Sequence, residues 1–296
     1  MSPIRSRSLR VASLAAMCVG LIAGASASID LQPTRSSPFD VELTGRLAGV
    51  PTGARRFVRW ADLRALPVTT LTLEGEFVPG PQRLTVVFLT DLWSALPRDS
   101  GADTLFAICD DGYTSIFRAA FMQSARPFLV LEINGLGPDH WPPRGLAFNP
   151  APCAILISAA VVPANATLLD AGHKKPWAVV ALEVANFADR DRDSFTGRWA
   201  ALSARAESGR EIWINSCASC HPGPGATFGG TKSQRPFAVL AGLAADRPAY
   251  FKQYVRAPTS LTPSAKMEPH PHYSEAQLDA LIAFVTAEPS SARATH

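Results

Sequence analysis

The sequence has no surplus of charge of one sign outside its first ten residues. It carries 28 Lys+Arg against 25 Asp+Glu, and three of the arginines, Arg5, Arg7 and Arg10, fall in that opening segment. The remainder is balanced at 25 of each sign, which excludes a polyanion-binding role resting on cations that face phosphates. Long hydrophobic runs are also absent downstream: the best of them, residues 154–162, is interrupted by Ser158 and ended by Pro163, so it reads as a buried strand. What the chain does have is 47% hydrophobic residues and only 18% charged ones, enough to bury a large core. Its 296 residues suggest two domains.

The opening segment has the three-part layout of a secretory signal peptide. Its basic start is followed by an apolar run over residues 11–23 and by small residues at 25–27, which predicts a leader over residues 1–27. Thirteen residues are too few to span a bilayer, which takes about 20. The arginines lie in Arg5-Ser6-Arg7, without a twin Arg-Arg, so the leader is expected to be of the Sec type, which exports an unfolded chain to the periplasm. No membrane span is expected in the mature protein.

Two textures follow. Residues 36–185 form a mixed α+β domain by pattern, with strands expected at 41–45, 68–73, 84–89, 105–109, 128–133 and 177–184. Short helices are expected at 60–66 and 90–95. Residues 186–197, rich in charge and without apolar period, read as a linker. Residues 198–289 read as all-α, and 290–296 as a tail. One helix is expected across 198–216, a second begins after an Asp246 cap and stops at Pro258, and a third begins at the capping box Ser274/Gln277. In the third, Leu278, Leu281, Ile282 and Val285 share one face.

The helical half contains Cys217-Ala218-Ser219-Cys220-His221. Two thiols one helical turn apart can each form a thioether to a porphyrin vinyl group, and the adjacent imidazole then lies under the iron. A zinc site would want a second Cys or His pair at matching spacing, and the other cysteines of the mature chain, Cys109 and Cys153, are isolated. A redox dithiol would want a βαβ setting, whereas this motif follows a helix. One covalent haem c is therefore expected, on Cys217, Cys220 and His221. For the second axial position the mature chain offers Met122 and Met267, and Met267 stands in a Pro-flanked loop before the last helix. His270 and His272 compete with it, and an open site is the remaining alternative. A thioether there raises the reduction potential relative to harder ligand sets.

These residues give the C-terminal domain its resemblance to class I cytochromes c. Gly209 and Trp213 precede the Cys-x-x-Cys-His motif where the family has Gly and an aromatic, Lys266-Met267 follows, and Phe284 lies on the terminal helix. The resemblance implies axial ligation by His221 and Met267 and electron transfer through an exposed haem edge. It also implies a close crossing of the first and last helices, with Gly209 against Phe284, and a proline carbonyl, here Pro236, for the His221 ring.

The N-terminal domain resembles, by pattern alone, the molybdopterin-binding domain of the sulfite oxidase family, through residues 68–92, Asp111-Gly112-Tyr113 and Asn134-Gly135. In that family a cysteine ligates molybdenum from the loop after the strand matching 68–73, and here the loop reads Glu74-Gly75-Glu76-Phe77. A degenerate domain without molybdenum is expected. This half also lacks a recognisable nucleophile, acid–base pair or cofactor loop. The chain thus reads as an electron carrier rather than a stand-alone catalyst, whose partner is a redox protein, either a dehydrogenase or a terminal acceptor. The alternatives are a molybdenum–haem oxidoreductase acting on a small oxyanion such as sulfite, and a haem-based sensor.

Overall fold

The computed structural model describes residues 28–75, 77, 79–143, 145–146, 148–158, 160–161, 175–191, 201–224, 230, 232–233 and 235–287. The expected leader, half of the expected linker (192–197) and the tail lie outside the described residues.

The N-terminal region is mixed α/β. Its strands are β1 (Val41–Gly45), β2 (Arg56–Val58), β3 (Val68–Glu74), β4 (Pro81–Phe88), β5 (Thr104–Cys109), β6 (Thr114–Arg118), β7 (Phe128–Ile133), β8 (Ala154–Leu156) and β9 (Val179–Ala185). Helices α1 (Trp60–Arg64), α2 (Leu89–Ala95) and α3 (Ala119–Ala125) connect them. Two sheets result, one ordered β2-β1-β9-β5-β6 and one ordered β3-β4-β7-β8. The second is antiparallel throughout, while in the first β1 runs parallel to β9.

Side chains alternate across β5 and β6, and this alternation positions the rest of the molecule. Leu105, Ala107 and Cys109 of β5, with Phe117 of β6, point into the core between sheet and helices. Phe106 and Ile116 point the other way, where they join one apolar cluster with Trp213, Phe251 and Phe284 of the C-terminal half. The β5–β6 hairpin is therefore buried on both faces, and its outer face is the floor on which the helical half stands.

The chain leaves β9 through α4 (Phe187–Arg190), a turn of helix capped by the Asn186 side chain, which accepts from the Asp189 amide at 3.0 Å. The charged segment 186–197 was expected to be a linker, and this part of it is not. Phe187 is buried in the shared cluster, an anchoring that an aromatic in a segment rich in charged and polar residues did not announce.

The helical half comprises α5 (Ala204–Ile212), α6 (Phe237–Asp246), α7 (Pro248–Arg256), α8 (Pro258–Leu261) and α9 (Glu275–Val285). Helix α5 starts at a Ser203 cap and runs into a π-helical turn over Trp213–Cys217. The capping box of α9 forms with both of its hydrogen bonds. The expected Asp246 cap does not: Asp246 is the last residue of α6, and Arg247 occupies the junction with α7.

Candidate functional site

Helices α5 and α9 cross at Gly209. A Cβ there would stand 1.9 Å from the Ala280 carbonyl oxygen and 2.9 Å from the Phe284 Cβ. The crossing holds Trp213 at the end of α5 against Phe284, with ring centroids 6.1 Å apart. Phe237 meets Trp213 edge-on at 5.1 Å, and the His221 ring lies 6.0 Å from Trp213. A block of aromatic rings thus backs the Cys-x-x-Cys-His turn, with Trp213 and Phe284 fully buried.

The turn itself is clamped from outside. The Gly230 amide donates to the Ala218 carbonyl at 2.7 Å and to the His221 carbonyl at 3.2 Å, and the Ser233 amide donates to the Cys220 carbonyl at 2.9 Å. Only glycine fits at 230, where a Cβ would lie 1.9 Å from the Ser219 carbonyl oxygen and 2.7 Å from the Cys220 Cα.

In front of the turn is a cavity of about 310 Å³, at the lower end of the range for small-molecule and cofactor sites, roughly 300–1,000 Å³. Cys217, Cys220, His221 and Met267 all line it. Much of the remaining wall is apolar, from Leu240 and Leu243 of α6, Phe251, Tyr254 and Val255 of α7, and Leu281 of α9. Of the histidines that compete with Met267, His270 lines the cavity, buried and stacked on Tyr273 with centroids 5.0 Å apart and planes 4° apart. His272 is exposed and outside it. Met122 lies in the N-terminal core, far from this role. Pro236 caps α6, and its carbonyl accepts from the Val239 amide at 3.0 Å.

The donor set fits a covalently attached haem better than a dithiol couple. Burial, with Cys220 adding to it, pushes the Cys217 thiol up to about 12, and burial also raises Cys220. A redox dithiol depends on a lowered thiolate pKa, whereas here burial outweighs the lowering that Lys232 exerts on Cys220. Cys109 and Cys153 are free thiols, both buried; Cys153 Sγ lies 3.5 Å from the Val179 carbonyl oxygen, and Cys109 stands opposite Val179 in the β5–β9 register. Among the described residues no group of three or more His, Cys, Asp or Glu side chains could hold a metal ion, and no helix is long and apolar enough to cross a membrane.

Residues 204–285 match the family model of cytochrome C oxidase, cbb3-type, subunit III. The helical C-terminal region thus matches a cytochrome c domain, which implies haem c binding, electron transfer and redox partners. The match stops short of residues 36–185, so the sulfite oxidase-type resemblance of the N-terminal region is without support from it. No curated protein matches the chain.

Proposed function

We propose that this protein transfers single electrons through one haem c attached by thioethers at Cys217 and Cys220, with His221 and Met267 as axial ligands. The reading is carried by one observation: the three side chains of the Cys-x-x-Cys-His turn and Met267, distant from them in sequence, line a single largely apolar cavity. The haem supplies a one-electron couple at its iron. The chain supplies the rest. Gly230 and Ser233 fix the backbone of the attachment turn, Trp213, Phe237 and Phe284 hold it from behind, and α6 and α7 keep water from the apolar wall. Export by the leader suits this chemistry, since attachment would then follow in the periplasm. The N-terminal region, which presents no molybdenum-ligating cysteine after β3, serves to dock a redox partner or ligand. The partner is a dehydrogenase or a terminal acceptor.

Haem that stays with the polypeptide through denaturation in acid–acetone, at one per chain, with a low-spin spectrum in the native protein, is the expected result for protein purified from its own host. Cys217→Ala with Cys220→Ala should abolish that retention. Haem extracted freely from the wild type would refute covalent attachment, and a high-spin ferric spectrum would refute Met267 as ligand.

A further inference from the structure

The tip of the β5–β6 hairpin reaches the haem cavity from the N-terminal region. The tip is a tight turn in which the Asp111 carboxylate accepts from the Tyr113 amide at 2.9 Å, and the Cys109 amide donates to the Tyr113 carbonyl at 2.8 Å. From this turn Asp111 pairs with Lys232, which is part of the cavity lining. The ammonium holds the Asp111 carboxyl below its ordinary range, helped by the Tyr113 amide. Beside it the Tyr113 hydroxyl faces Ser219, inside the attachment motif, and Ser115; burial pushes it up to about 12.

Lys232 is held from both sides. Its neighbours Gly230 and Ser233 are stitched to the attachment turn, and its own side chain is drawn to the hairpin. A second strut keeps the hairpin in place: Arg118, at the end of β6, pairs with Glu211 of α5 at 2.6 Å and covers the Phe187 ring at 5.0 Å.

We infer that Asp111 is a positioning residue of the haem site, which pins Lys232 at the cavity as a neutral pair and so lets the N-terminal region set the reduction potential of the haem. The inference rests on the haem reading above. An unpaired cation beside the cavity favours the reduced haem, which carries one positive charge fewer than the oxidised form. An unpaired carboxylate favours the oxidised haem. Both side chains are partly exposed, Lys232 at 41% and Asp111 at 53%, so salt screens the effect.

Redox titration of the haem-loaded full-length protein tests this. At a fixed ambient potential near the midpoint, Asp111→Asn should raise the ratio of reduced to oxidised haem and Lys232→Gln should lower it. Each change should be roughly two- to tenfold, the span between bulk-water and protein-surface screening. The double variant should return close to wild type, Asp111→Glu should retain the wild-type value, and both single shifts should shrink at high ionic strength. A purely structural role would move both single variants in the same direction, and that result, or unchanged midpoints in all variants, overturns the inference. Wild-type protein without bound haem would instead overturn the haem reading on which it rests.

Discussion

A buried carboxylate without a hydrogen-bond partner is costly when ionised, and among the described residues Asp191 is one. It is 1% exposed, at the point where the chain leaves α4, and both its oxygens lack hydrogen-bond partners among the described residues. Burial pushes its pKa from 3.8 up to about 7; Arg190 opposes the shift and Glu183 adds to it. The sign follows from proton counting. In the unfolded chain the group loses its proton near 3.8, whereas the folded protein keeps it to about 7. The native state therefore binds more protons in that window, and stability falls as pH rises through it, by at most about 1.4 kcal/mol per pH unit from this group. Asp191→Asn should be more stable than wild type at pH 8 and lose most of that advantage by pH 4, measured by urea unfolding at the two pH values. An advantage that does not depend on pH would show that the carboxyl does not titrate in this range. Nothing near Asp191 in the sequence distinguishes it from the solvated acids before it. The Cys-x-x-Cys-His side chains, by contrast, are legible because their chemistry demands adjacency in sequence.

Elements with local signals were legible, and those made by neighbours were not. The capping box of α9, the β-branched run of β3 and the apolar run of β7 carry their own instructions. Strand β6 and helix α3 went unread because their residues, TSIFR and AAFMQSA, take their conformation from pairing with β5 and packing on the core. Helix α6 is apolar on most sides and begins without a side-chain cap, so neither period nor cap marks it. The crossing of α5 and α9 combines both cases. A glycine inside a helix weakens it, and here it is needed because the Ala280 carbonyl passes where a Cβ would be. Gly209→Ala should therefore destabilise the helical half by about 1–3 kcal/mol, the usual cost of overpacking a close contact, despite the better helix propensity of alanine. Thermal unfolding followed at the haem absorbance reads this directly. A variant as stable as wild type would mean that the helices separate without loss.

On the scale of the whole molecule, the two halves share one apolar cluster in which Phe106, Ile116 and Phe187 meet Trp213 and Phe284. They should consequently unfold together. Phe187, 4% exposed, lies between them, and Phe187→Ala should cost about 3–5 kcal/mol. Its far-UV circular dichroism and haem-absorbance transitions should shift by the same amount. Two separate transitions in the wild type, with only one moved by the substitution, would show that the halves are energetically independent.

The sequence by itself determined the division into a strand-rich half and a helical half, the Cys-x-x-Cys-His motif, Met267 in its Pro-flanked loop, and the capped last helix. Each of these is written in residue types at short spacing, where covalent chemistry and local hydrogen bonds act. Only the tertiary structure decided that His270 and not His272 shares the cavity with Met267, that Gly230 clamps the Cys-x-x-Cys-His turn, and that the β5–β6 tip touches Lys232. The last of these contacts joins positions 121 residues apart, and none of the three is set by short spacing. They arise because a two-sided sheet must bury its outer face, and no local pattern states what will cover it.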